Sequence, residues 1–358
     1  MILYNKTLAI ETSCDDTSIS IVSFDGRRFE NQTILTYSQI KEHQDYGGVV
    51  PELAYRSHEN KIIWLIEEIW YNQIRECDSI SVTKFPWLPW SLVVGNAIAN
   101  TLGVFLNKPV IEVNHIFGHI FSALLDRDID QLPLPRVVLT ASGGHNELYL
   151  VRYVSEQNRD FKLENLQIQW LGHTLDDAAG EAFDKVARML GWEYPWGPWI
   201  SDMAKKGMPQ DRFTFKKILL DKNDNLLNFS FSGMKAQVRR LLELYPLETL
   251  TAQDIADICY IFEQTVCDIL VYKVLEAKQI CDCRSILLVG GVSANDMLYD
   301  KLRESIGNID SDLEPILDTN LPDDPNIFIT RSITLARPAK KIYSTDNAAM
   351  IGVVGILS

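Results

Sequence analysis

The chain carries the same local design twice, about half a chain apart. Thr7–Ile10 is a short apolar run that leads into the polar turn Glu11-Thr-Ser-Cys-Asp-Asp-Thr17, then into Ser18–Ser23, where Ile19 and Ile21 alternate with polar residues. Arg136–Thr140, Ser142-Gly-Gly-His145 and Glu147–Tyr153 repeat that order. Short runs bounded by small polar residues predict strand, turn and strand. Two such units in one chain predict a duplicated α/β lobe. A third run, Ser285–Val289, passes through Gly290-Gly291 into a helical pattern over Ser293–Leu302. Helical spacing of apolar residues is expected over Glu52–Ile69 and Val93–Leu106 in the first half, and over Asp176–Leu190 and Ala252–Lys278 in the second. Asn308–Asn326, rich in acids and prolines, is expected to be an exposed loop.

Composition limits what such a fold can do. With 358 residues, 46% hydrophobic and 23% charged, the chain can fill the cores of two ordinary domains. Its formal net charge of −14 argues against a broad basic face of its own for nucleic acid. A local patch or a basic partner remains open, and Lys205-Lys206, Arg239-Arg240 and Lys340-Lys341 are candidate local contacts. The six cysteines are scattered, and the Cys281-Asp-Cys283 pair has no second pair to make a zinc site. No charged-then-apolar leader stands at Met1–Asp16. The apolar stretch Ser91–Val113 is interrupted by Asn96, Asn100, Asn107, Lys108 and Pro109. A reduced, soluble, cytoplasmic protein without a membrane partner is expected.

Four segments can carry chemistry. His115 and His119 stand four apart, which on a helix puts both on one face within reach of one metal ion. Two helix-face histidines without metal would show the same spacing. Where a zinc peptidase has its general base, this chain has Ile116. A carboxylate would complete a two-His-one-carboxylate set, and Asp346 is the candidate. Ser142-Gly-Gly-His145 can bring backbone N–H groups close to an anion, or can be a plain turn. Asp177, Glu181 and Asp184 read as an acidic stripe on a helix, either a solvated face or, because Ala178, Ala179, Gly180 and Ala182 are small, a surface that can pack beside a ligand. Gly290-Gly291, between strand and helix, offers a helix start to a phosphate or adenosine.

Taken together these segments resemble the universal tRNA threonylcarbamoyladenosine synthase family, part of the actin-like ATPase (ASKHA, ribonuclease H-like) superfamily. The resemblance rests on Ile10-Glu-Thr-Ser-Cys-Asp-Asp-Thr17, His43–Ala54, Val113-Asn-His-x-x-Gly-His119 and Ser142-Gly-Gly-His145. It continues through Asp176–Lys185, Phe229-Ser-Phe-Ser-Gly-Met-Lys235, Gly290–Asn295 and Ser344–Met350, all in the family's order. It implies an α/β fold of two actin-like lobes with a central cleft: 1–134, and 135–358 with about 340–358 returning to the cleft and first lobe. It also implies one divalent metal ion, iron or zinc, held by His115, His119 and Asp346. Thr140, Ala141, Ser142, Gly143 and Gly144 would line the substrate, and Asp184, Gly197 and Asn295 would contact its adenylate part. The implied reaction moves a threonylcarbamoyl group from threonylcarbamoyl-AMP to N6 of adenosine 37 in tRNAs that read codons beginning with A. Implied partners are tRNA, a paralogous subunit and a small ATPase. A nucleotide-dependent kinase or switch on the same fold, and a non-catalytic scaffold, are the competing classes; neither needs the His-His-Asp set.

Tryptophan is the anomaly. The family's Gly-Pro-Gly-Leu-x-Gly-Ser-Leu loop stands here as Phe85-Pro-Trp-Leu-Pro-Trp-Ser-Leu92, and its Tyr-Pro-Gly-Gly-Pro as Tyr194-Pro-Trp-Gly-Pro198. Trp87, Trp90 and Trp196 thus replace glycines, which supply positive φ or let backbone approach a ligand. These codons are expected to be UGA, read as glycine in the source genome and written here as tryptophan. A divergent homologue with a partly filled cleft is the alternative.

Overall fold

A computed structural model describes residues 4–46, 48–69, 71–155, 157–192, 197–209, 212–219, 226–309, 324–330 and 333–358. The chain divides into two compact units. One comprises Met1–Leu134, Arg152–Gln167 and Pro338–Ser358; the other comprises Pro135–Val151 and Ile168–Arg337. Arg152–Gln167 therefore groups with the first unit and not with the segment that follows residue 135. Phe161 packs edge-to-face on Phe121 there, with ring centroids 6.3 Å apart.

The first unit is built on a five-stranded sheet of β1 (Lys6–Glu11), β2 (Asp16–Phe24), β3 (Phe29–Ser38), β4 (Ser79–Phe85) and β5 (Val110–Asn114). Its order is β3-β2-β1-β4-β5. β1, β2 and β3 pair antiparallel, whereas β1–β4 and β4–β5 pair parallel. Central strands covered on both faces must be apolar on both, and β1 is buried along nearly its whole length. Helix Pro89–Leu106 lays Leu92, Val94, Ala99 and Gly103 on this core. It is long and apolar enough to cross a membrane, with a mean hydropathy of 1.3. Val104 and Phe105 on its outer face are 86% and 72% exposed.

All ten residues of the C-terminal helix Ala348–Leu357 are buried in the first unit, against β1, β2 and β4. Gly355 permits this, since a Cβ there would fall 1.8 Å from Ser81 Oγ. Asn347 caps the helix by accepting from Met350 N, and Ala348 N donates to Ser18 Oγ. The segment just before it is clamped by Asp126, which pairs with Lys340 at 2.6 Å and accepts from the Tyr343 hydroxyl at 2.8 Å. Asp346 lies between clamp and cap.

The second unit has a sheet of β6 (Arg136–Ala141), β7 (Asn146–Tyr153), β8 (Leu166–His173), β9 (Ser285–Val289), β10 (Ile327–Ile329) and β11 (Thr334–Ala336), in the order β10-β11-β9-β6-β7-β8. β6–β7 is an antiparallel hairpin, and β6–β9 and β9–β11 are parallel. Strands 8-7-6-9-11 thus repeat the order 3-2-1-4-5, with β10 added at the edge. The duplication expected from the two turns is present in the topology. Helices run Ala179–Met189, Gly197–Ala204, Ser232–Leu244, Ala252–Cys281 and Asp296–Ile309. The first begins three residues later than expected, because Asp176 turns away to bind Ser230, Phe231 and Ser232. The last is preceded by a 3-10 turn, Gly291–Ala294, where a continuous helix from Ser293 was expected. Most of the expected loop Asn308–Asn326 lies outside the described residues.

Candidate functional site

The first unit gathers one chemical centre. β5 ends at Asn114, whose side chain accepts from Ile116 N and so starts helix His115–Phe121 immediately. One helical turn puts both histidines on its inner face, 2% and 4% exposed. Their rings meet edge-to-face at 4.7 Å between centroids. Asp346 Oδ1 lies 3.5 Å from His115 Nε2 and 3.1 Å from His119 Nε2. One ligand atom from each of the three residues falls within 4.8 Å of the others.

Charge fits a cation at this point. Burial alone would raise the Asp346 carboxyl. The charge of His115 and hydrogen bonds to both histidines outweigh it and hold the group well below the usual carboxylate range. Burial alone would lower His115, but the Asp346 and Glu11 carboxylates push it up to about 10. The Nδ1 atom of His119 is buried with no hydrogen-bond partner among the described residues. Two imidazoles and a carboxylate converging in this way suit a divalent ion of the iron or zinc type. Ile116 follows His115 on the helix, so the glutamate that serves as base in the zinc-peptidase motif is missing from its place.

Behind the histidines lies a layer that sequence reading missed. Glu11, 1% exposed at the end of β1, has Oε2 3.1 Å from His115 Nδ1. The turn that follows is held by buried histidines: His58 contacts Cys14 O through Nε2 and the Thr17 hydroxyl through Nδ1, and His43 bonds Gln39. Burial first, then the charge of Asp15, pushes Asp16 up to about 7 and Cys14 far above the ordinary thiol range. Cys14 is therefore no thiolate nucleophile.

The second unit holds the remaining expected residues. Thr140 and Ala141 end β6, and Ser142, Gly143 and Gly144 form the turn into β7. The turn is closed by Ser142 N donating to His145 O at 2.9 Å. It sits on the start of helix Ala179–Met189, where Asn146 Oδ1 accepts from Ala179 N. A Cβ at Gly180 would lie 2.5 Å from Ser142 O, so the small residues here serve this backbone contact. The acidic stripe does not form as expected. Asp177 precedes the helix, and both Asp177 and Glu181 pair with Lys185 at 2.7 Å. Asp184 stays on the helix. Asn295 is tied to the helix that Gly197 begins: its Nδ2 donates to Ser201 Oγ at 3.1 Å and to Glu263 Oε1 at 2.5 Å. Its Oδ1 accepts from Leu298 N. Gly197 and Asn295 are thus joined through Ser201. Of the candidate basic pairs, Lys205, Arg239 and Lys340 each hold an acidic neighbour.

Comparison with known proteins settles the family. A family model described as TsaD, tRNA N6-adenosine threonylcarbamoyltransferase, matches residues 32–353. The chain belongs to this family. The tRNA N6-adenosine threonylcarbamoyltransferase of Brucella suis is 41% identical over 365 residues, covering 98% of this chain and 89% of that one. The enzyme of the same name from Persephonella marina is 38% identical over 309 residues, covering 85% and 82%. Among solved structures, HypF from T. kodakarensis superposes with a TM-score of 0.53 at 11% identity, over 99% of this chain and 48% of that one. Full-length HypF in its phosphate- and nucleotide-bound form gives 0.54 at 13%, over 98% and 55%. This chain spans about half the length of those two proteins, and they share its fold alone. That fold is the actin-like ATPase α/β fold, as the family expectation had it.

Trp87 sits beside the metal candidates, its ring 6.0 Å from that of His115 and edge-on to it. Its φ is 101°, in the region that side-chain-bearing residues rarely adopt. Trp90 stands 69% exposed near the start of helix Pro89–Leu106, and Trp196 lies outside the described residues.

Proposed function

We propose that this chain transfers the threonylcarbamoyl group of threonylcarbamoyl-AMP to N6 of adenosine 37 in tRNAs reading codons that begin with A. The convergence of His115, His119 and Asp346, in a member of a family named for this transfer, supports the reading most directly. These three residues would hold one iron or zinc ion, which when bound supplies Lewis acidity toward the carbamoyl carbonyl. Gly143 and Gly144 would offer backbone N–H groups to the acyl adenylate, with Thr140, Ala141 and Ser142 lining it. Asp184, Gly197 and Asn295 would hold its adenylate end, with Asn295 kept in one rotamer by Glu263 and Ser201.

The adenine amine is a weak nucleophile, so fixing it against an already activated acyl group supplies much of the rate. AMP leaves readily and no covalent enzyme intermediate is needed. Burial of Cys14 beside Asp15 agrees with that. The acidic net charge and the ion-paired lysines and arginines favour help with tRNA from other subunits, namely a paralogue of this chain and a small ATPase. The exposed Val104 and Phe105 supply an apolar surface for such contact. A separate adenylate-forming enzyme must supply the donor.

Modified-nucleoside analysis of tRNA tests the reading. Incubation with the adenylate-forming enzyme, partners, threonine, bicarbonate and ATP should yield threonylcarbamoyladenosine. Failure with every partner present, while nucleotide is hydrolysed, would favour the switch ATPase instead.

A further inference from the structure

We infer that Glu11 is a positioning residue for the metal centre, fixing His115 with its proton on Nδ1 so that Nε2 is left for the ion. The inference rests on the reading of His115, His119 and Asp346 as metal ligands.

The geometry of Glu11 allows it little else. β1 and β4 run parallel with Ile10 opposite Val82, so the next residues, Glu11 and Thr83, come side by side. Thr83 Oγ1 donates to Glu11 Oε2 at 2.5 Å, and Ser13 N donates to Glu11 Oε1 at 2.5 Å. The remaining partner is His115 Nδ1, 3.1 Å from Oε2. An ionised carboxylate only accepts, so Nδ1 must carry hydrogen. Ser13 Oγ, also 3.1 Å from Nδ1, accepts from the same N–H. Nε2 faces the Asp346 carboxylate, and its proton is the one that a bound cation displaces. A carboxylate behind a histidine in this way fixes ring and tautomer and raises the basicity of the ligating nitrogen. His119 has no counterpart: its Nδ1 meets no partner among the described residues. Of the two histidines, His115 is the one held in advance.

Glu11→Gln isolates the effect. The backbone N–H of Ser13 can only donate, so the amide oxygen must stay where Oε1 is. The amide nitrogen is then turned toward His115, where it donates to Nδ1 and drives the ring proton to Nε2. Shape and volume hardly change. The measurements are the zinc dissociation constant, by competition with a chelator, and the imidazole 1H–15N correlation of His115. In the wild-type chain an exchange-protected Nδ1–H resonance is expected, and in Glu11→Gln it should be lost. Zinc affinity of Glu11→Gln should fall about 10–100-fold. Thr83→Val removes a donor to Glu11 without touching the tautomer, so it should lower thermal stability and leave zinc affinity within a few-fold. Wild-type zinc affinity in Glu11→Gln, or an equal loss in both variants, overturns the inference. Absence of stoichiometric zinc in the wild-type chain overturns the ligand reading on which it stands, and the Nδ1–H resonance separates the two failures.

Discussion

His119 Nε2 lies 3.1 Å from Asp346 Oδ1, although the two residues are 227 positions apart. The contact exists because the C-terminal helix returns to the first unit's sheet, with Asp346 in the turn before it. Removing either side should therefore remove the metal and spare the fold. His119→Ala and Asp346→Asn are each expected to take bound metal from about one ion per chain to near none. Elemental analysis of the purified protein and a circular dichroism spectrum read the two effects separately. Full metal content in both variants would sink the assignment.

Docking of that helix depends on Gly355. Its absent side chain leaves room for Ser81, whose hydroxyl is itself bonded to Thr7 at 2.8 Å. Gly355→Ala forces a methyl into a filled core, which costs about 1–3 kcal/mol. Because Asp346 precedes this helix by two residues, metal affinity should fall together with melting temperature. Adding Ser81→Gly removes the obstructing Cβ and should restore both. A Gly355→Ala chain that melts and binds metal like the wild type would contradict the packing.

Asp176 accepts four hydrogen bonds, from the hydroxyls of Ser230 and Ser232 and the backbone N–H groups of Phe231 and Ser232. Desolvation opposes its charge, but these bonds prevail and hold its pKa below the ordinary value. The unfolded chain then binds this proton more tightly than the folded one. The stabilisation is therefore complete above the ordinary carboxylate pKa of about 3.9 and is lost as pH falls through the lower folded value. Asp176→Asn should cost about 1 kcal/mol at pH 6, a modest figure because the group is exposed. Denaturation curves of the two proteins should converge below about pH 4. A gap that stays constant with pH would show that the charge plays no part.

What was legible in the sequence follows physical range. The β1–β2 and β6–β7 hairpins were readable because strand, turn and strand are contiguous, and His115 with His119 because a helix fixes i and i+4. Glu11 was not, because its role depends on the parallel register that sets it beside Thr83, 72 residues on. β3 was missed because it pairs on one side only and carries half-exposed polar residues among its apolar ones. The acidic stripe was misread for a related reason. Periodicity alone runs the helix back through Asp177, while the tertiary bonds of Asp176 delay its start to Ala179. Asn295 was found through the family pattern, but its buried support, Glu263, sits on another helix and leaves no local trace.

The tryptophans carry the last prediction. Trp87 has φ of 101°, a conformation that costs a side-chain-bearing residue about 1–3 kcal/mol and glycine nothing comparable. Tryptophan is normally among the more buried residues on average. Yet Trp64, Trp90, Trp170 and Trp192 are 48–69% exposed, and Trp87 and Trp199 are only half-buried, so none of the described tryptophans is fully buried, although Trp199 packs against the second unit's core. Counting all eight as glycine raises that residue from 19 to 27 of 358, close to the usual share of about 7%. The positive φ of Trp87 is the conformation a glycine there would take, and the expectation that Trp87, Trp90 and Trp196 are UGA codons read as glycine rests on it and on the family's glycines at these three places. Sequencing the gene decides it, and UGG at the three positions refutes it. Trp87→Gly should raise the melting temperature by relieving the φ strain, where an ordinary glycine substitution would lower it. A lower melting temperature would mean that the indole packed beside His115 belongs to the native site.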